Sequence, residues 1–203
     1  CANPVVSIMM PTFRRPDLLK IALDSALNQP DAGVSYEVVV VDNDAEAGAD
    51  SETAALLAGY QAENLLYYRN RENLGIAGNW NRCVTLARGK WVSYLHDDDI
   101  LLPEYLNRVM ALLAGRPDAQ GLMVLPYDFQ DGEGLDTARA AASASLKGRV
   151  YDRLSRGKLI RLTRKDSHML LANPYGAPTC GCIFLRDAML EEGGFDPDYH
   201  PSF

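Results

Sequence analysis

Apolar positions along the chain fall into short continuous runs, separated by stretches in which they recur at helical spacing. Val5-Val6-Ser7-Ile8-Met9-Met10 is one such run, ended by Pro11-Thr12. Pro16 then suits the first turn of a helix. Leu18, Leu19, Ala22, Leu23, Ala26 and Leu27 follow at helical spacing until Asn28-Gln29-Pro30. Glu37-Val38-Val39-Val40-Val41 is β-branched without alternation, as in a strand buried on both faces. It stops at Asp42-Asn43-Asp44. Residues 51–61 predict a helix and Leu65-Leu66-Tyr67-Tyr68 a strand. Trp80, Cys83, Val84 and Ala87 share one helical face, with Gly89 expected at the C′ position after it. Trp91–Leu95 predicts a strand, Pro103–Leu113 a helix and Gly121–Tyr127 a further strand.

The β-α-β-α-β-α-β order predicts an α/β fold: a doubly wound, mostly parallel (mixed) sheet with helices on both faces. Ligands of such sheets bind at the carboxyl ends of the strands. Three polar clusters stand at those ends: Thr12-Phe13-Arg14-Arg15, Asp42-Asn43-Asp44 and Asp97-Asp98-Asp99. Far apart in sequence, they are expected to converge on one edge. The last is the most telling. Adjacent carboxylates at the end of a buried strand repel one another and resist desolvation. A hard divalent cation offsets that cost, because Mg²⁺ or Mn²⁺ prefers carboxylate oxygens. Magnesium also leaves coordination positions to substrate phosphates, so the run points to a metal–diphosphate site. Taken alone, the run is equally a solvated turn that caps the next helix.

Composition narrows this picture. The 203 residues are 47% hydrophobic and 23% charged, as in a globular protein, with a formal net charge of -7. The acidic balance argues against a nucleic-acid binder. No segment approaches the roughly 18 consecutive apolar residues of a membrane span. No basic region followed by an apolar stretch opens the chain. The expected location is cytoplasmic, where cysteines stay reduced. Cys83 falls in a helical pattern and reads as core. Cys180-Gly181-Cys182 lacks the spacing of a zinc pair. Gln130–Leu146 reads as a loop or mobile lid. Arg149–Lys165 is strongly basic and reads as a solvated helical face, or as a contact for a phosphate-bearing acceptor or an anionic membrane surface.

Five motifs in order give the chain a resemblance. Val6–Arg15 resembles the opening strand and loop of the family 2 glycosyltransferases, which have the GT-A fold, and Glu37–Asp44 resembles their second strand and acidic turn. Asn73-Leu74-Gly75, Asn81 and Ala87–Val92 resemble the family's central signature. Leu95-His96-Asp97-Asp98-Asp99-Ile100-Leu101-Leu102-Pro103 resembles its metal motif, and Glu192-Gly193-Gly194-Phe195-Asp196 its segment near the acceptor.

The resemblance implies transfer of a sugar from a nucleotide-diphosphate sugar to an acceptor hydroxyl, with inversion, using Mn²⁺ or Mg²⁺. It implies Asp98 as metal ligand, Asp97 at the ribose or the metal, and Asp99 as a third member of the group. Pro11, Thr12, Phe13, Arg14, Asp42, Asn43 and Asn81 would line the donor. Asn43 stands where many members carry a second Asp, and His96 where the family often has an Asp. The surviving Asp42 favours uridine or thymidine donors over guanosine. The acceptor would be a carbohydrate or a lipid-linked molecule, in bacterial cell-envelope polysaccharide or glycolipid synthesis.

Inverting transfer needs a general base. The family places it shortly after the Gly-Gly-Phe-Asp segment, so it is expected beyond Phe203, with Asp196, Asp198 and His200 as substitutes. One domain is expected over 1–203, with 1–115 the nucleotide-sugar-binding half and 116–203 a truncated acceptor-side half. Three other readings compete. A non-catalytic nucleotide-sugar binding module fits the missing base. A phospho-acceptor domain explains the acidic strand ends but not the glycine motifs. A nicotinamide-binding enzyme lacks its Gly-x-Gly-x-x-Gly.

Overall fold

A computed structural model of the chain describes residues 3–30, 33–48, 51–124 and 179–198. The loop expected at 130–146, the basic stretch 149–165, His200 and the end of the expected 121–127 strand lie outside the described residues. The chain divides into two compact units, residues 1–123 with 179–203, and residues 124–178. All that follows concerns the first.

The parallel core contains β1 (Val6–Thr12), β2 (Tyr36–Asp42), β3 (Leu65–Arg69) and β4 (Trp91–Tyr94). Between them run α1 (Pro16–Leu27), α2 (Glu52–Ala58) and α3 (Gly75–Leu86), and α4 (Tyr105–Ala114) follows β4. Two short strands, β5 (Gly121–Leu122) and β6 (Ile183–Leu185), complete the sheet before α5 (Arg186–Glu191). The strand order is β3-β2-β1-β4-β6-β5. β6 runs antiparallel to both β4 and β5, which makes the sheet mixed. Residues 183–185, expected in the acceptor-side half, thus pair directly with a strand of the first half.

β1 and the valines of β2 are buried throughout because the sheet is covered on both faces. Met9, Val39, Val41, Val92 and Tyr94 pack against Cys83 and Val84 of α3 and its C-cap residue Ala87. The alternate positions Ile8, Met10, Val38 and Val40, also buried, point to the other face. Gln29 ties α1 to α4 by donating to the Leu102 carbonyl and accepting from the Leu106 N–H.

α2, β4 and α4 differ from the expected bounds by one to three residues at their ends, and two further differences have a physical reason. β1 continues through Pro11 to Thr12, paired with Asp42. The Met9 carbonyl faces β4, where it accepts from the Leu95 N–H, and Thr12 faces β2, where its carbonyl accepts from the Asn43 N–H. Pro11, two residues after Met9, therefore has its missing donor on the β4 side, where pairing has ended. Gly89 is not at C′ of α3, whose C-cap is Ala87. A Cβ at Gly89 would lie 2.7 Å from the Ser7 nitrogen, so this glycine permits close backbone approach rather than a helix stop.

Gly89 belongs to a knot at the amino ends of the strands. Its N–H donates to Ser7 Oγ, which donates to the buried carboxylate of Glu37. The same carboxylate accepts from the Arg88 backbone N–H and guanidinium. The knot lies opposite the three polar clusters and fixes the register that aims them.

Candidate active site

The strand order reverses between β1 and β4, and the crevice at such a switch point is where open α/β sheets bind ligands. Thr12 ends one wall, and Asp97 stands just beyond the other. Thr12 Oγ1 donates to Asp97 Oδ2 at 2.8 Å, a bond between buried groups that closes the floor of the crevice. Arg15 Nη1 lies 3.5 Å from Asp97 Oδ1 and 3.1 Å from Asp98 Oδ2.

Arg14 has φ of 57°, a left-handed backbone that costs an ordinary residue about 1–2 kcal/mol. Its side chain goes to the β2 side. Nε donates to Asp44 Oδ2 at 2.8 Å and Nη2 to Glu46 at 2.9 Å. The guanidinium also lies over the half-exposed ring of Phe13, 4.9 Å from its centroid. Arg14 holds the Asp44 carboxyl below the ordinary carboxylate value, mainly through the hydrogen bond. Neighbouring arginines thus serve two different acidic groups.

Asp42 is 0% exposed. Its Oδ1 accepts from the Asp44 N–H at 2.9 Å and its Oδ2 from the Tyr67 hydroxyl at 3.0 Å. Burial pushes this carboxyl above its ordinary value, and the two donors only partly offset it. Asn43 is equally committed. Its amide donates to Asn73 Oδ1 at 2.8 Å, and its carbonyl accepts from Asn70 and from the Leu74 N–H. Asn70 also donates to Asn79, whose amide donates to the Val41 carbonyl. This carboxamide chain fixes the turn after β2 to the Asn73-Leu74-Gly75 loop.

Asp99 faces away from Arg15. Its Oδ2 is 3.2 Å from His96 Nδ1, and the Cys180 sulfur lies within 4.8 Å of both groups. His96 Nε2 is 2.8 Å from Thr179 Oγ1, and its ring stacks on Trp80 at 5.2 Å. The His96 hydrogen bond holds the Asp99 carboxyl below its ordinary value. Burial, then Asp99, pushes the Cys180 thiol up.

The Gly-Gly-Phe segment is built onto α3. Asn81 accepts from the Phe195 N–H at 2.7 Å and donates to the Phe195 carbonyl at 2.8 Å. Phe195 meets Trp80 and Tyr94 edge-on at 5.0 and 5.6 Å. Gly193 and Gly194 have φ of +83° and +77°, and a Cβ at Gly194 would lie 2.3 Å from Asn81 Oδ1. Asp196 Oδ1 accepts from the Asp198 N–H at 2.9 Å.

Around the crevice the structure thus brings together Thr12, Asp97 and Asp98, with Phe13, Arg14, Asp42 and Asn43 on the β2 side. Asn81, Asp196 and Asp198 form a separate group. Asp97 is buried and anchored, Asp98 is half exposed, and both address the same guanidinium nitrogen. One cation can therefore be shared by two carboxylates, and an oxygen-only donor pair fits Mg²⁺ or Mn²⁺. Sequence reasoning gave no role to Arg15, Asn70, Asn79, Thr179 or the pairing of Cys180 with His96. For Arg15 the signal was its place beside Arg14. The others had no local signal, because their partners are remote in the chain.

The model of glycosyl transferase family 2 matches residues 7–192. An uncharacterized protein of Mycobacterium tuberculosis is 28% identical over 199 residues, which cover 98% of this chain and 59% of the relative. The succinoglycan biosynthesis protein ExoO of Rhizobium meliloti is 31% identical over 159 residues, 78% of this chain and 39% of the relative. The chain therefore spans less than two thirds of these relatives. S. aureus TarS 1-349 in complex with UDP-GlcNAc superposes with a TM-score of 0.64 at 19% identity, over 95% of this chain and 48% of that one. A mannosyltransferase from Pyrobaculum calidifontis in complex with GDP-Man and Mn²⁺ gives 0.61 at 18% identity, over 97% of this chain and 49% of that one. At these identities the likeness is one of fold.

Proposed function

Because the chain belongs to glycosyl transferase family 2, we propose that it is the donor-binding part of an inverting glycosyltransferase that takes a nucleotide-diphosphate sugar. The observation that carries this reading is the convergence of Asp97 and Asp98 on one cationic group at the switch point of the sheet. The TarS and Pyrobaculum structures, solved with nucleotide sugars, support it through the shared fold.

In this reading Asp98 and Asp97 hold a Mn²⁺ or Mg²⁺ ion. When bound there, the ion supplies Lewis-acid stabilisation of the charge that develops on a departing diphosphate. Thr12 keeps Asp97 in place. Pro11, Phe13 and the Asp42-Asn43 turn line the nucleoside end, with the exposed Phe13 ring as its apolar surface. Asp42 and Asn43 act there by setting the shape of the turn, since their side chains already have partners. The Arg14–Asp44 pair closes that end. Asn81 acts by holding Phe195. Asp196 is engaged by Asp198, so of the acceptor-side acids Asp198 is the freer candidate for the base. The buried, committed Asp42 carboxylate is not free to read the base as the sequence suggested. A uridine or thymidine donor rests instead on the likeness of fold to TarS with UDP-GlcNAc. A carbohydrate or lipid-linked acceptor and a role in envelope polysaccharide synthesis complete the proposal. ExoO, by its name, belongs to succinoglycan biosynthesis.

A thermal-shift panel of UDP, dTDP and GDP with Mn²⁺ tests the reading. The expected result is metal-dependent stabilisation by UDP or dTDP, because a ligand held at about 100 times its Kd adds roughly 2.7 kcal/mol. Stabilisation without release of nucleotide from any sugar donor would favour the binding-module reading instead. No shift with any nucleotide would sink both.

A further inference from the structure

We propose that His96, Asp99 and Cys180 form a binding site for a borderline divalent transition ion, zinc being the best fit, separate from the oxygen-only pair Asp97–Asp98. One ligand atom from each of the three residues lies within 4.8 Å of the others. An imidazole nitrogen, a carboxylate oxygen and a thiolate are the donors zinc takes, whereas Mg²⁺ is bound through oxygen. His96 Nδ1 and Asp99 Oδ2 are 3.2 Å apart. That is close to the roughly 3.3 Å edge of a tetrahedron with bonds of about 2.0–2.1 Å.

The surroundings fit a metal-bound histidine. Such a ring usually donates its other N–H to an outer acceptor, which fixes its tautomer and orientation. Thr179 Oγ1 stands 2.8 Å from Nε2, and Trp80 stacks on the ring. With Nε2–H donating to Thr179, Nδ1 is left as the ligand atom beside the Asp99 carboxylate, and a bound cation takes the place of the proton that the two otherwise share. Three protein ligands leave a fourth position open. On binding, the Cys180 S–H bond breaks, a zinc–sulfur bond forms and the proton passes to solvent.

The sequence hides this site. Cys180 and Cys182 lack zinc spacing with each other, and the true partner of Cys180 lies at the end of β4. Tyr94 and Cys180 form a bridge between the two segments, so an ion here would fasten the start of β6 to the strand that carries the acidic run. Asp97 and Asp98 face the other way, toward Thr12 and Arg15.

Zinc-edge X-ray absorption on the full chain, loaded with one equivalent of Zn²⁺ alone and dialysed, tests the proposal independently of any sugar-transfer activity. The expected spectrum has one sulfur neighbour at about 2.3 Å and nitrogen or oxygen neighbours at about 2.0–2.2 Å. Cys180→Ser removes the sulfur shell, whereas Cys182→Ser and Asp98→Ala keep it. Thr179→Val, outside the ligand set, weakens Zn²⁺ binding about 10–100-fold. If Cys180→Ser does not fold, the wild-type spectrum and Thr179→Val decide. Folded wild-type protein that retains no zinc, or zinc with no sulfur neighbour, overturns the site. So does a sulfur shell that survives in Cys180→Ser, or unchanged affinity in Thr179→Val.

Discussion

Single residues in this site are told apart by their partners. Asp97, Asp98 and Asp99 are identical in type and adjacent, yet two address Arg15 and the third addresses His96 and Cys180. Sequence could mark the run as unusual but could not divide it, because the division depends on Thr179 and Cys180, which come from the far end of the chain. Arg14 and Arg15 were equally alike until the left-handed backbone at Arg14 separated them. Asp42 gives a prediction at this scale. Burial raises its carboxyl in the fold above the value of about 3.9 expected when unfolded. The native state therefore binds more protons. The stability from this group is fully present below about pH 3.9 and is lost as pH rises through the native value. Asp42→Asn removes that loss while keeping an acceptor for the Asp44 N–H. The variant should gain on the wild type as pH rises from about 3.5 to 7 in urea melts. A stability difference that is flat across that range would show that Asp42 does not titrate as described.

Elements divide by how much of their logic is local. β1, β2, β3, β4, α1 and α3 were legible, because continuous β-branched runs and helical spacing report burial directly. β6 and α5 were not. β6 has three residues and is held in the sheet by β4 and β5, so no periodicity can reveal it. Glycine roles were legible as need but not as cause. Gly89 read as a helix stop, yet its function is contact with Ser7 across the knot. Gly89→Ala should therefore lower global stability by about 1–3 kcal/mol, since the obstacle is backbone and cannot swing away. Denaturant melts measure this, and a neutral result would contradict the close approach. Asn81 is the corresponding clasp for α5 and the segment after it. Asn81→Ala removes both bonds to the Phe195 backbone, which is worth about 1–3 kcal/mol locally. Hydrogen exchange should accelerate over residues 186–195 while β1 and β2 stay protected. Equal acceleration in both regions would mean that the segment is not separately clasped.

The whole molecule places its chemistry by topology. Parallel strands bring their carboxyl ends to one edge, and the reversal between β1 and β4 opens a crevice there. The knot of Ser7, Glu37, Arg88 and Gly89 at the other end keeps the strands in register. This much followed from the β-α order, and the convergence of clusters near residues 12, 42 and 97 was readable before any coordinate. What the order could not supply was which carboxylates share a cation, or that the turn after β2 is tied to α3 through asparagines. Among the described residues no helix is long and apolar enough to cross a membrane. The metal-ion proposal for Asp97 and Asp98 is that they hold a divalent ion to which a nucleoside diphosphate binds. Isothermal titration of UDP into the protein, with Mn²⁺ and with chelator, compared between wild type and Asp98→Ala, tests it most directly. The expected result is Mn²⁺-dependent binding that weakens at least tenfold, about 1.4 kcal/mol, in a variant that remains folded. Equal Mn²⁺-dependent affinity in the two proteins would contradict it.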